Sequence, residues 1–173
     1  MALDRLVRAN VGYYIALPEA LESFRDDGSV TAAELNSDLV YDVTCALTEA
    51  DTSFTLDDSD TDDELTFCSI GNEVTPTSRN ASAVFVALQD ADKTADTVFN
   101  LARDLMSHPD VAYVLVERLG KPNTEAFAAG DQVSLIGVTS DNPVDVISDG
   151  ANVKISQTWI SDGDINWNAT VAA

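Results

Sequence analysis

The residues that most often carry nucleophilic or metal chemistry are scarce, because this chain of 173 residues has two cysteines and one histidine. Cys45 and Cys68 are too few for a disulfide scaffold; they could pair only if their strands are neighbours, and we expect buried free thiols. A hydrolytic triad would need His108, which precedes a proline at a predicted helix end and can satisfy the last carbonyl groups there. We therefore expect no catalytic residue and no cofactor.

Basic residues are also few, with 9 lysines and arginines against 30 acids and a formal charge of -21. Between Asp26 and Glu64 there are 13 acids and no base, whereas the first 25 residues contain Arg5, Arg8 and Arg25. Such a field repels nucleic acid, so tight binding of DNA is excluded. The hydrophobic content of 45% is nevertheless that of a folded protein.

Long apolar runs are absent. The longest, such as residues 111–116, have the length of a strand, far below the roughly 20 residues that span a bilayer. Residues 1–20 lack the apolar core and cleavage site of a secretory signal. We expect no membrane insertion, and we expect the protein to be made and assembled as a soluble species.

Alternating and β-branched patterns predict a mainly β chain that forms one domain over residues 1–173. Residues 1–25 are interpreted as an N-terminal arm and residues 48–64 as an exposed acidic loop between two strands of a long hairpin. The predicted strands cover residues 39–47, 65–70, 82–88, 111–119, 132–138, 144–147, 153–160 and 165–171. Their spacing predicts an antiparallel β-sandwich or barrel, in which Trp159 and Trp167 pack in the core.

One long helix is predicted over residues 93–107, with Asp92 as its N-cap. Apolar residues recur there at three- and four-residue spacing, from Ala95 to Met106, and His108-Pro109 ends the pattern. A second, short helical turn is predicted where Thr31 and Glu34 have capping-box spacing. The architecture is therefore a sandwich flanked by one α-helix.

The abundant acids allow two chemical interpretations. Asp58, Asp60 and Asp62 alternate as in a calcium-binding loop, but Asp63 replaces the required glycine and Ser69 the bidentate glutamate. A pair of carboxylates could serve a glycoside hydrolase, but among 30 acids some pair is close by chance, and aromatic residues make up only 7%. We expect no defined metal site.

The order of elements and the C-terminal segments resemble a known family. The turn at residues 31–36, Thr-Ala-Ala-Glu-Leu-Asn, is followed by strands, a long loop, a helix and further strands, and the chain ends with Lys-Ile-Ser-Gln-Thr-Trp at 154–159 and Asp-Ile-Asn-Trp at 164–167. This order resembles the tail tube, or major tail, proteins of long-tailed viruses of bacteria and archaea. The resemblance covers nearly the whole chain.

The resemblance implies a virion structural protein that forms hexameric rings, which stack into a hollow tube conducting viral DNA during infection. It implies contact with tape-measure, tail terminator and distal tail proteins, and location in the virion tail. Acids facing the lumen would let DNA slide past. Candidate contacts between subunits or rings are the bases of the arm (Arg5, Arg8, Arg25) and the acids of the hairpin (Asp57, Asp58, Asp60, Asp62, Asp63, Glu64).

The same sequence features allow alternative functions. Lysine occurs only at positions 93, 121 and 154, and the acidic composition resembles that of halophile proteins, so the charge can serve hydration instead of DNA passage. The rival function is a monomeric acidic β-sandwich binding module of a halophile. A tail terminator or distal tail protein would show the same sequence features.

Overall fold

The computed structural model describes residues 10–62, 75–147 and 152–173. Two short helices follow the first strand, and a longer helix lies between the fourth and fifth strands. The elements are β1 (Val11–Ala16), a 3-10 turn (Pro18–Ala20), α1 (Glu22–Asp27), α2 (Ala32–Leu35), β2 (Val40–Asp42), β3 (Ser53–Asp62), β4 (Thr75–Leu88), α3 (Val98–Met106), β5 (Ala112–Leu119), β6 (Gln132–Ser140), β7 (Val144–Val146) and β8 (Lys154–Thr170). The predicted mainly β fold is confirmed.

The strands form one antiparallel sheet in the order β2-β1-β5-β6-β8-β4-β3, and β7 pairs with β8. Strand β8 joins the two halves of this sheet, because its first part pairs with β4 and its second part with β6. The β6–β8 register shifts beside Gly137, where residues 162–164 of β8 form a bulge. Such a bulge bends a strand and lets the sheet fold over.

The folded sheet encloses an inner core between its two halves. Tyr13 of β1 contacts Phe85 of β4 with ring centroids 5.7 Å apart, although their strands are not neighbours in the sheet. Trp159 contacts both Phe85 and Tyr113, with centroids 6.0 and 5.5 Å apart. These contacts between distant strands define a β-sandwich, and the predicted core position of Trp159 is confirmed.

A second core covers the opposite face of β1, β5 and β6. Val114, Val116 and Leu135 point to this side and pack against helix and turn residues that include Leu21 and Phe24. Because β5 is covered on both faces, residues 113–116 are all buried, which explains their uninterrupted apolar sequence.

The predicted N-terminal arm is wrong for residues 11–25. Strand β1 lies between β2 and β5, and Ile15, Ala16 and Leu21 have no exposed surface. The two-sided burial of β1 removes the alternation of apolar and polar residues by which a half-buried strand is recognised. Residues 1–9 lie outside the described residues.

The hairpin differs from its prediction. The predicted strand at 39–47 shortens to β2, because residues 44–46 form a turn. Much of the predicted loop at 48–64 is strand β3, which pairs with β4 from Ser53↔Val84 to Asp62↔Thr75. An edge strand needs only one neighbour, so its acidic side chains can remain in water. The predicted strand at 65–70 lies outside the described residues.

Strands later in the chain agree better with their predictions. β5 and β6 match within two residues at each end, whereas the two predicted C-terminal strands are a single strand, β8. Gly163 lies in the bulge with a positive φ of 97°. The sequence pattern predicted a turn at this glycine and therefore two separate strands. The exposed β7 confirms the short strand predicted near residue 144.

The helices are shorter than predicted. Helix α3 covers only the later part of the helix predicted at 93–107. Its N-cap is Thr97, whose side chain accepts a hydrogen bond from Asn100 N. The carboxylate of Asp92 instead accepts from Thr94 N at 2.9 Å in a preceding turn. The capping box of Thr31 and Glu34 is confirmed. No helix in the described part of the chain is long and apolar enough to cross a membrane.

Candidate assembly surfaces

The edge strand β3 presents a row of acids. Asp57, Asp58 and Asp60 are exposed, so the structure places three predicted contact residues on one accessible strand. The carboxylate of Asp57 accepts a hydrogen bond from Ser82 Oγ at 3.1 Å. Asp62 ends β3, and Asp63 and Glu64 lie outside the described residues. Acids on an edge discourage uncontrolled strand pairing.

A groove of about 550 Å³ opens where β4 and β8 diverge, and Asp57, Arg79, Trp159 and Asp162 line it. Pairing between the two strands begins at Ser82↔Ile160, beyond which β4 pairs with β3 and β8 with β6. Within the described residues, each diverging segment therefore keeps one edge without a partner strand. Such edges can accept a strand from another chain.

Arg25 is held inside its own chain. Its Nη1 lies 2.6 Å from Asp162 Oδ2 and 2.7 Å from Asp164 Oδ2, and both acids belong to the β8 bulge. The guanidinium lies over Gly137, where an added Cβ would overlap the Asp162 carboxylate. The sequence predicted Arg25 as a base facing a neighbouring subunit, but here it ties α1 to β8.

The loop after β5 is anchored by a buried ion pair that sequence reasoning missed. Arg118 has no exposed surface and donates from Nη2 to Asp131 Oδ2 at 2.8 Å. It also donates to the carbonyl oxygens of Glu125 and Ala126, at 2.6 and 3.0 Å. Its guanidinium carbon lies 4.6 Å from the centre of the Phe127 ring. These contacts fix residues 120–131.

An apolar patch surrounds β7. Val144, Ile147 and Val153 have 58%, 76% and 40% of their surface exposed. Val144 pairs with Ser156 and Val146 with Lys154, so both valines lie on the sheet face that carries Thr158 and the half-exposed Ile160, and Ile147 and Val153 flank these two strands along the chain. Exposed apolar residues that cluster in this way are typical of protein interfaces.

Among the residues that the structure describes, those considered for catalysis or metal binding are not brought together. Cys45 is exposed, so its predicted burial is wrong; it lies in the turn before Ala46, which takes the core position instead. Cys68 lies outside the described residues. The His108 side chain is exposed, and its backbone carbonyl accepts from Ser140 Oγ at 2.7 Å. No cluster of three or more metal-binding side chains occurs in residues 10–62, 75–147 and 152–173.

Comparison with known proteins identifies the family. A model of the phage tail tube protein family matches residues 5–173. The chain is also similar to a solved structure of the SPP1 tail tube, determined by solid-state NMR and cryo-EM as an NMR ensemble. That similarity has a TM-score of 0.56 at 11% identity and covers 96% of this chain and 81% of the other. No curated protein matches the chain.

The match over nearly the whole chain shows that this protein belongs to the phage tail tube protein family. It is a structural protein of the virion tail, of a class that self-assembles into tubes. Tail tube proteins are not enzymes. The distant SPP1 similarity supports the fold, and the resemblance read from the sequence is confirmed at the level of the family.

Proposed function

We propose that this chain closes into hexameric rings that stack into a hollow tube, through which viral DNA passes during infection. The family match over residues 5–173 is the observation that carries this proposal. The open strand edges beside the groove and the apolar patch around β7 give the subunit surfaces that a second copy can cover. Strand pairing with burial of apolar surface is a common basis of symmetric rings.

The acidic strand β3 takes part in contacts between subunits or rings in this proposal, with Asp57, Asp58, Asp60 and the following Asp62, Asp63 and Glu64. Arg79 is the complementary residue. It is exposed on β4 and forms no ion pair with a carboxylate of the described residues. Arg25 already has two intrachain partners, so it contributes by holding the β8 bulge in place.

DNA is conducted without specific binding, because a wall with the charge of this chain repels phosphate groups. At about 0.1 M salt the screening length is roughly 10 Å, so wall charges act on DNA in the lumen. At molar salt it falls to roughly 3 Å, and the same acids then serve mainly hydration. The proposed assembly takes place in the host cytoplasm, with tape-measure, tail terminator and distal tail proteins as further partners.

Negative-stain electron microscopy of the purified chain, in low and in molar salt, tests this function. Rings or tubes of uniform width are expected, and six-fold averages of end views test the hexamer. A monodisperse monomer in both conditions would contradict self-sufficient assembly and favour the monomeric binding module. Assembly that appears only with a tape-measure protein would restrict the proposal to initiated growth.

A charge variant tests the assigned contact. Arg79→Glu is expected to abolish assembly, because it adds an acid beside Asp57 and Asp162 in the groove. Arg103→Glu is the matched control, since Arg103 lies on α3 and pairs with its neighbour Asp104 at 3.5 Å. Equal loss of tubes in both variants would show that general charge, and not the groove, controls assembly.

A further inference from the structure

Four strands of the sheet leave one of their faces open to solvent. β3, β4 and the first part of β8 are neighbours, and β7 pairs with the other side of β8. The inner face of these strands carries Phe85 and Trp159 and builds the inner core. On the opposite face, which we call the outer face, Thr55, Thr158 and Ile160 are exposed. The two-sided cover of β5 therefore has no counterpart here.

The strand registers define which residues the outer face contains. Residues that pair directly across neighbouring strands lie on the same face, so the pairs form rows across the strands. Four such rows are Thr55-Ser82-Ile160, Ser53-Val84-Thr158, Val86-Ser156-Val144 and Leu88-Lys154-Val146. Apart from the buried Val86, these residues are exposed or half-buried. All of them except Lys154 are uncharged, and Lys154 Nζ lies 2.6 Å from Asp51 Oδ2.

The four rows contain no acid, and all of their residues belong to the described part of the chain. Acids begin where the rows end, with Asp57 in the next pair of β3 and β4 and Asp162 beyond Ile160 on β8. A basic partner would favour the acidic surfaces of this chain. A surface that keeps acids at its margin instead suits a partner that is acidic itself, because like charges in close contact are costly. A second copy, with its charge of -21, is such a partner.

The exposed apolar side chains of the outer face favour protein over DNA, the other acidic molecule in the proposed tube. Val144 has 58% and Ile160 55% of its surface exposed, at opposite corners of the four rows. Proteins contact DNA largely through its phosphates, for which methyl groups offer no partner. Apolar groups gain instead from burial against another protein surface, and the hydroxyl groups between them can form hydrogen bonds there.

The size of the outer face indicates how strong such a contact is. Each row crosses three strands that are about 4.8 Å apart, and successive rows are about 6.8 Å apart along the strands, so the four rows cover roughly 400 Å². A standard interface between two proteins buries about 800 Å² on each partner. The outer face alone therefore provides about half of one side. It suits a closed assembly, in which each subunit has several contacts.

We propose that the outer face of β3, β4, β7 and β8 is buried against a second copy of this chain in the assembled tube. The inference rests on the proposed function, because it requires the chain to self-assemble. Contact through this face joins two highly acidic subunits by apolar and hydroxyl groups. Asp57 and Asp51 at its margin remain in water, where salt screens them.

Thiol labelling tests this burial directly. In a chain with Cys45→Ser and Cys68→Ser, Thr158→Cys places one thiol at an exposed position on the central strand of the outer face. A small maleimide should label it quickly in monomers and about tenfold or more slowly in tubes, because interface cores exclude water. The matched control is Asp104→Cys on α3, where 72% of the native side chain is exposed. Its labelling should be equal in monomers and tubes, as mass spectrometry will measure.

The outcomes separate this inference from the proposed function. Equal labelling of Thr158→Cys in monomers and tubes would mean that the outer face lines the lumen or the outside of the tube, which overturns the inference and leaves tube formation intact. Equal slowing at both positions would overturn the assignment to this face. Protection that appears only after DNA or another virion protein is added would identify a different occupant and overturn it too. Absence of rings and tubes with the unmodified chain would overturn both proposals.

A charge placed on the outer face gives a second readout. Thr158→Asp is expected to raise the critical concentration for assembly about tenfold or more relative to Thr158→Asn, which has the same size, because a carboxylate loses its water in the contact. The increase should persist in molar salt, since salt screens repulsion but does not hydrate a buried charge. Thr124→Asp, in the exposed part of the 120–131 loop, adds the same charge elsewhere and should have little effect.

Circular dichroism of the monomers checks that each charge variant folds. If the effect of Thr158→Asp disappears in molar salt, or is no larger than that of Thr124→Asp, the carboxylate stays in water in the tube and the inference is wrong.

Discussion

The buried ion pair of Arg118 and Asp131 gives the sharpest stability prediction. Asp131→Ala removes the acceptor of Arg118 Nη2 at 2.8 Å, of Lys121 Nζ at 2.7 Å and of Ala128 N at 3.1 Å. Arg118 then remains without exposed surface and without a counter-charge, with only two carbonyl acceptors. Breaking a buried pair on one side costs about 3–5 kcal/mol. Against a typical total of about 5–15 kcal/mol, this is a large fraction.

Urea unfolding of the monomer, followed by tryptophan fluorescence, measures this loss. The matched control is Asp104→Ala, because Asp104 pairs with Arg103 at 3.5 Å with 72% of its side chain exposed. An exposed pair of this kind contributes at most about 1 kcal/mol. If Asp131→Ala costs no more than Asp104→Ala, the interpretation of the 120–131 loop as anchored by this pair is wrong.

The dependence of this effect on pH is a further check. Burial alone would raise the pKa of Asp131, but Lys121, the Ala128 N–H and Arg118 outweigh it, so the pKa lies below its ordinary value. The stabilisation is therefore complete above about pH 4, the ordinary pKa of aspartate, and is lost as the pH falls through the lower folded value. The difference between Asp131→Ala and the unmodified chain should shrink only in acid. A difference that grows in acid would contradict this assignment.

Three further predictions concern other parts of the fold. Gly137→Ala should lower the free energy of unfolding by about 1–3 kcal/mol, since its Cβ would overlap the Asp162 carboxylate, and the loss should be smaller with Asp162→Ala. Glu117→Gln should stabilise the monomer at pH 7, because the raised pKa of Glu117 in the folded state means that its charged form opposes folding. This gain in the free energy of unfolding should vanish below about pH 4, which urea unfolding at a series of pH values will measure. Thr31→Ala should cost about 0.5–2 kcal/mol in thermal or urea unfolding, because Glu34 N loses its cap acceptor, and an unchanged midpoint would contradict the role of this cap.

The parts of the fold that were predicted well depend on local patterns. Strands β5 and β6 can be predicted because β-branched residues are dense there and lie between turn signals. The capping box of Thr31 and Glu34 can be predicted because it needs only a three-residue spacing. The apolar stripe of α3 likewise placed Ala102 and Met106 in the core. In each case the decisive neighbours lie within one turn or one strand of the sequence.

The errors arose where distant residues decide the outcome. Strand β1 is buried on both faces, and β3 is an acidic edge strand, so neither shows the usual alternation of apolar and polar residues. Arg118 could not be predicted as buried, because arginine is mostly exposed unless paired. The ion pairs of Arg25 with the acids of the β8 bulge require both that bulge and Gly137, and only the folded sheet brings these parts into contact.

The intrachain pairing of most bases has a consequence for assembly. Because Arg118, Lys121 and Lys154 pair with acids of their own chain, the surface that the chain offers to a second copy in the proposed assembly is mostly acidic. Salt screens the repulsion between acids, whereas apolar and strand contacts do not depend on charge. Assembly limited by acidic repulsion should therefore become easier from 0.1 M toward molar salt, as the screening length falls from about 10 to about 3 Å. Critical concentrations for assembly, measured across this range of salt, test this prediction. A critical concentration that rises steeply with salt would mean that exposed ion pairs, and not apolar and strand contacts, hold the subunits together.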